Sequence, residues 1–374
     1  MMRARFVALA LLAACDGPEA DPGPEPWVWS LPMGFPEPEV PADNPMSAAK
    51  VLLGRHLFYD KRLSHNQTMA CASCHEQARA FSDGKVTGEG STGDPLPRNA
   101  MGLGNVAYLS IYTWANPKLA DLEAQALVPL FADFPLELGA QQATEQILGR
   151  FAGDPDYQRM FAEAFPDDDD PFTIHRVVQA ISSFERTLIS GDAPYDRFVF
   201  GLDDAAMSPA AQRGMELFFS ERAECYHCHA GPNFSTSFRS ATSEAGPPDF
   251  QNNGLYNLDG AGAYPRGNGG LYEFTGDPRD QGKFRVPSLR NIAVTAPYMH
   301  DGSLATLAEV VDHYAAGGTV TEEGPLAGDG RDNPNKSPLV RPFELSPEER
   351  ADLVAFLESL TDEQFLRDAR FGPP

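Results

Sequence analysis

Cysteine is scarce in this sequence, with five residues among 374. That excludes a disulfide-framed scaffold and leaves apolar cores to hold the chain together. Cations are in deficit too: 29 Lys and Arg stand against 53 Asp and Glu, a formal net charge of −24. So acidic a chain is repelled by nucleic acid and by anionic membrane surfaces. Beyond the first residues no apolar run is long enough to cross a bilayer. Alternating strand patterns are nearly missing, whereas apolar residues reach 42%, which places the chain among globular proteins.

The few cysteines are placed with purpose. Four form two copies of one motif, Cys71-Ala72-Ser73-Cys74-His75 and Cys225-Tyr226-His227-Cys228-His229. Two thiols three positions apart with histidine directly behind them make the attachment site of a c-type haem. The thiols add to the porphyrin vinyl groups and the histidine coordinates the iron. Zinc knuckles and short disulfides share the Cys-x-x-Cys spacing, but two complete copies with no other thiol to pair favour two covalent haems.

The fifth cysteine closes Leu12-Ala13-Ala14-Cys15, after Arg3, Arg5 and the short apolar run Phe6 to Ala14. Residues 1–15 read as a bacterial lipoprotein signal with Cys15 lipidated; a plain signal peptide cut after Ala14 is the alternative. The expectation is an exported protein in the bacterial periplasm or cell envelope, touching membrane only through its lipid. Residues 16–45 are rich in Pro, Gly and acid and read as an extended tether, with Trp27 and Trp29 lying on the body.

From Ser47 the period is helical. Ala48, Val51, Leu52, Leu57 and Phe58 lead into the first motif. Helices are expected over 121–130, 145–165, 172–190, 210–219, 306–314 and 347–360. Ser208-Pro209 and Ser346-Pro347-Glu348-Glu349 serve as start signals. Residues 76–118 and 230–285 are Gly- and Pro-rich loops. The fold class is mainly α: two cytochrome c-like domains, 46–200 and 201–374, each wrapped around one haem, with long loops and little strand. Of eight histidines, His56, His65, His175, His227, His300 and His313 lie outside the proximal positions; each alone is an ordinary core or surface residue.

Several stretches resemble the bacterial di-haem cytochrome c peroxidase/MauG family. They are Leu53-Gly54-Arg55-His56-Leu57-Phe58-Tyr59-Asp60, Arg98-Asn99-Ala100, Leu122-Glu123-Ala124-Gln125-Ala126, the run Phe284 to Asn291, and Thr295 to Gly302. The resemblance covers residues 45–365. It implies that the first haem reacts with hydrogen peroxide beneath Gln125 and Glu137. There a carboxylate would take a proton from peroxide and return it to the leaving oxygen. It also implies Trp114 as a relay between the haems, and a calcium ion between them held by Asn99 and the carbonyls of Thr295 and Pro297.

The distal ligand of the second haem divides the family. Peroxidases carry methionine there and MauG-type enzymes tyrosine, and by the resemblance the position is Tyr314. His313 and Met299 stay open as alternatives, although neighbours on a helix point about 100° apart, so only one of His313 and Tyr314 can face the iron. Methionine raises a haem potential, whereas an anionic oxygen stabilises oxidised iron.

Tyr112-Thr113-Trp114-Ala115-Asn116-Pro117 and Gly231-Pro232-Asn233-Phe234-Ser235 are similar to the MbnH-like branch. Its members share a high-valent iron state over two haems and oxidise a tryptophan of a partner protein, MbnP, to kynurenine. The implied protein is a haem-dependent oxidoreductase using hydrogen peroxide. The alternatives are a cytochrome c peroxidase fed by a small cytochrome or cupredoxin, and a non-enzymatic electron carrier.

Overall fold

The computed structural model describes residues 26–243 and 249–374; the signal segment and Cys15 lie outside these. Side-chain caps set most helix starts. Ser47 opens α1 (Ala48–Tyr59) and Asp121 opens α2 (Leu122–Phe131). The single helix expected over 145–165 is two, α3 (Thr144–Ala152) and α4 (Pro155–Ala164). The reason is local: Asp154 caps a new helix whose first residue is proline, which cannot continue the previous one. Thr173 opens α5 (Ile174–Arg186), followed by the short α6 (Pro194–Val199). Ser208 opens α7 (Pro209–Phe218), and α8 (Tyr272–Thr275) is a single turn. Capping boxes at Thr306/Glu309 and Ser346/Glu349 open α9 (Leu307–Ala315) and α10 (Pro347–Glu358). Among the described residues, strand is confined to two-residue antiparallel pairs, β1 (Phe250–Gln251) with β2 (Phe284–Arg285) and β3 (Val320–Thr321) with β4 (Gly328–Asp329).

Among the described residues, two large apolar cores result, with smaller clusters beside them. The first gathers Leu53, Leu57 and Phe58 of α1 with Val177, Ile181 and Phe184 of α5. The second gathers Ala211, Leu217 and Phe218 of α7 with Leu353, Phe356 and Leu357 of α10. Both are built on a helix crossing too close for a side chain. A Cβ on Gly54 would lie 1.8 Å from the Ala180 carbonyl oxygen and 3.0 Å from Phe184 Cβ. On Gly214 it would lie 1.9 Å from the Asp352 oxygen and 2.9 Å from Phe356 Cβ. Leucine and phenylalanine follow each glycine three and four positions on. The chain repeats one helix-on-helix unit, and each copy leads into its Cys-x-x-Cys-His.

Two segments depart from the sequence reading. The described part of the expected extended tether is fastened to the body well beyond its tryptophans. Phe35 is buried under the Arg290 guanidinium, 5.1 Å from its ring centre. Tyr108 donates to the Pro36 carbonyl at 2.8 Å, and buried Asn44 donates to Glu123 and to the Gln179 carbonyl. Prolines keep this stretch extended, and its few apolar and amide side chains fasten it. The chain's end, assigned to the second half, returns to the first: Phe365, Leu366 and Phe371 join the first core, and Arg55 donates to the Gly372 carbonyl at 2.7 Å. A buried polar seam of Ser190, Asn291 and Asp362 ties the halves together.

Gly54→Ala and Gly214→Ala should each lower stability by roughly 1–3 kcal/mol or more through overpacking. Chemical denaturation reads the effect; an unchanged midpoint would contradict the close helix approach.

Candidate functional site

The two proximal histidines are oriented by the same device. His75 Nδ1 donates to the Phe81 carbonyl at 2.7 Å, and His229 Nδ1 donates to the Phe234 carbonyl at 3.0 Å. Phe81 and Phe234 both hold left-handed backbone, φ 63° and 47°, which turns their carbonyls inward. With Nδ1 so occupied, Nε2 is the nitrogen each ring can offer a metal, as in metal-binding histidines; the backbone of Met101 and of Pro287 also acts on the two rings. Burial holds both rings toward the neutral form that coordinates. Among the described residues no disulfide joins the four motif cysteines. Among the described residues, the only three donor side chains within 4.8 Å of one another are Glu221, Glu224 and His227. Neither motif converges its own thiols and histidine as a zinc site requires.

His229, Cys225 and Cys228 line one large cavity together with Trp114, Arg285, Met299, His300 and Tyr314. Arg285 is a test of what fits there. Its guanidinium is buried with no carboxylate beside it, donating to the Thr113 and Val286 carbonyls, and burial lowers it to about 10. A buried cation without a counter-ion suits a group that brings its own carboxylates, as haem propionates do. The thiol pair, the histidine with Nδ1 tied to a carbonyl and this arginine together fit a covalent haem.

The three candidate distal ligands separate here. Tyr314, on α9, lines the cavity with His229. Its phenol is pushed up to about 12 by burial, with an Asn253 hydrogen bond acting in the opposite sense. His313 lies 5% exposed outside the cavity lining, its Nδ1 sharing a 2.7 Å hydrogen bond with Thr319 Oγ1. Met299 lines the cavity, but its sulfur accepts from Asn253 Nδ2 at 3.2 Å.

Around the first motif, Glu137 stands on a tightly pinned loop. Its carbonyl accepts from the Ser91 amide at 2.9 Å, and Leu138 N donates to the Pro129 carbonyl at 2.9 Å. The His65 amide donates to the Leu138 carbonyl at 2.8 Å. These bonds fasten the loop to α2, which carries half-buried Gln125. Desolvation raises the Glu137 carboxyl to about 7, and its charge acts on both Cys71 and Cys74. Glu137 is thus a desolvated carboxyl close enough to the first motif for its charge to act there.

Sequence reasoning missed a second acid. Glu185 of α5 is 6% exposed, one carboxylate oxygen has no partner, and its charge acts on Cys71. Burial raises it to about 8. Its position was readable, since it falls four residues after Ile181 and three before Leu188, on the apolar stripe.

Residues Asn99 to Met101 form a wall between the sites. Met101 approaches the His75 ring on one side, and all three residues line the cavity of His229 on the other. Trp114 donates from Nε1 to the Asn99 carbonyl at 2.9 Å and is fastened to that wall. Thr295 and Pro297, expected with Asn99 as calcium ligands, line the same large cavity. The Asn99 amide nitrogen donates to the Lys85 carbonyl at 2.7 Å, turning its oxygen the other way.

Two haem-binding histidine sites in one helical chain define a di-haem cytochrome c. Comparison with known proteins narrows the class. The di-haem cytochrome c peroxidase family model matches residues 48–204. The chain is 36% identical over 376 residues to cytochrome-c peroxidase IdrP1 of Denitromonas iodatirespirans, covering 96% of this chain and 93% of that protein. It is 34% identical over 324 residues to methylamine utilization protein MauG of Methylorubrum extorquens, covering 86% and 81%. A crystal structure of a MauG-like protein associated with microbial copper homeostasis matches with a TM-score of 0.91 at 50% identity, covering 93% of this chain and 99% of that one. This chain belongs to the di-haem cytochrome c peroxidase family, and the family implies two covalent haems.

Glu137 gives a pH test. A carboxyl raised to about 7 is a base above that pH and an acid below it. Reaction of the haem-loaded protein with peroxide should accelerate with pH through a step near 7. Glu137→Gln should slow it by roughly 10²- to 10⁴-fold and remove the step. A step surviving in that variant would move the role to another acid.

Proposed function

We propose that this chain is a peroxide-dependent oxidase of the MauG type, in the MbnH-like branch. Its substrate is a tryptophan on an exported, MbnP-like partner protein, which it oxidises to kynurenine by long-range electron transfer. One observation carries the reading: Tyr314 lines the cavity with His229, while the neighbouring His313 lies outside that lining and is bonded to Thr319 Oγ1. The 50% identity to a MauG-like protein associated with microbial copper homeostasis supports the branch.

When bound, the haems supply reduction of peroxide and one-electron transfer. The chain's residues do the rest. Glu137 takes a proton from peroxide and returns it to the leaving oxygen, and Gln125 offers an amide donor from α2. Trp114, fixed through Nε1 to the wall between the sites, passes an electron from one side to the other. Tyr314 would supply an oxygen ligand, which favours the oxidised state of a haem at the second site. Asn99, Thr295 and Pro297 would hold a calcium ion with amide and carbonyl oxygens. Lipidation at Cys15 tethers the exported chain to a membrane. Among the described residues no helix is long and apolar enough to cross one.

A second reading also has support. The 36% identical relative is named a cytochrome-c peroxidase, which favours peroxide removal with electrons from a small cytochrome or cupredoxin. One experiment separates the two. The holoprotein is given peroxide with either the partner or a reduced cytochrome, and the partner is then analysed by mass spectrometry. The proposal predicts oxidation of one partner tryptophan and slow cytochrome oxidation, and loss of the former in Tyr314→Met. Rapid turnover of the cytochrome with an unmodified partner would establish the peroxidase instead.

A further inference from the structure

The second haem motif carries a phenol that the first lacks. Between the cysteines of the first stand Ala72 and Ser73, neither of them readily oxidised; between those of the second stand Tyr226 and His227. The two rings are stacked, 4.2 Å between centres and 30° between planes. Tyr226 donates its hydroxyl proton to Glu221 Oε1 at 2.5 Å. Glu221, Glu224 and His227 bring their polar atoms within 4.8 Å of one another on the protein surface. These carboxylates are already engaged, Glu221 by Tyr226 and Glu224 by Arg341 at 2.6 Å, so the cluster is arranged around a phenol and a guanidinium and not around a cation.

Inward, Tyr226 packs on the second core. Its ring lies 6.4 Å from Phe219, which lies 6.4 Å from Phe234, whose carbonyl holds His229. Outward, His227 and Glu221 are exposed. Tyr226 is thus joined by backbone to both haem-attachment cysteines, touches the core on one side and reaches solvent on the other.

We infer that Tyr226 is the surface redox relay of the second haem site, with Glu221 as its proton acceptor. The inference rests on the proposed function, in which oxidation by hydrogen peroxide reaches that site. One electron leaves the Tyr226 ring for the oxidised haem group joined at Cys225 and Cys228. The phenolic proton moves along the existing hydrogen bond to the Glu221 carboxylate, leaving a neutral ring radical and a neutral acid. An electron from the reductant, a tryptophan of the partner, returns the ring to its closed-shell state and the proton comes back from Glu221. Two such cycles deliver the two electrons that, with two protons, convert one peroxide to two waters. The stacked His227 ring shields one face of the radical and leaves the edge open to the partner.

Rapid freezing of the holoprotein after one equivalent of peroxide tests this without any turnover assay. Electron paramagnetic resonance should show a tyrosyl radical that narrows in protein grown on ring-deuterated tyrosine. Tyr226→Phe should lower it at least about fivefold, and Glu221→Gln should slow its formation. In unaltered protein, a nitroso spin trap should map to Tyr226 by peptide mass spectrometry, so the answer does not depend on variants. Optical spectra of the same samples report whether the haems were oxidised. Oxidised haems with no tyrosyl radical, a radical undiminished in Tyr226→Phe, or a trap adduct elsewhere would overturn the relay and leave the proposed function standing. Haems that peroxide fails to oxidise would overturn both.

Discussion

The structure depends on one hydrogen bond made twice. A histidine following a Cys-x-x-Cys pair donates from Nδ1 to the carbonyl of a phenylalanine five or six residues on. The bond fixes the tautomer and the ring plane, leaving Nε2 for the metal. It requires a left-handed backbone at Phe81 and Phe234, a strained conformation for a residue with a side chain. The cores hold that strain: both phenylalanines are buried to 0–1% exposure in aromatic clusters, Phe81 against Phe58 and Phe365, Phe234 against Phe218 and Phe356. Each core is in turn drawn tight by a glycine at a helix crossing. Helix packing, strained turn and ligand orientation form one chain of causes, repeated in each half.

What surrounds each repeat differs, and that difference carries the chemistry. The charges of two buried carboxyls raised by desolvation, Glu137 and Glu185, act on the first motif, and the loop of Glu137 is pinned to Ser91, His65 and Pro129. The second faces a tyrosine, a buried arginine and a tryptophan. A site with proton-exchanging acids suits bond cleavage in peroxide, and one with aromatic and phenolic groups suits holding and passing electrons. The wall of Asn99 to Met101 touches both, so the two environments meet across three residues.

Much of this was legible in the sequence. The haem motifs are fixed by spacing chemistry, and the helix starts by capping residues such as Ser47, Ser208 and Ser346. Tyr314 was expected from the resemblance; it and Met299 line the cavity of His229, and His313 bonds Thr319 instead. The break at Asp154-Pro155 was readable, since proline after a capping acid starts a helix, but the longer apolar period masked it. Other features were hidden because they depend on distant partners. Gly54 and Gly214 look like ordinary helix glycines until Ala180 and Asp352 are brought against them. Phe35 and Asn44 sit in a segment whose composition reads as free, and only Arg290, Glu123 and Gln179 show why it is fastened. Glu185 lay on an apolar stripe where a carboxylate should not be, a signal that is local and usable.

The account turns on the ligand opposite His229. Resonance Raman and near-infrared magnetic circular dichroism of the ferric holoprotein test it directly. The account predicts phenolate–iron vibrations from the second haem that vanish in Tyr314→Phe, with no methionine–iron charge-transfer band in the unaltered protein. A methionine–iron band in the unaltered protein, or phenolate vibrations that persist in Tyr314→Phe, would contradict it.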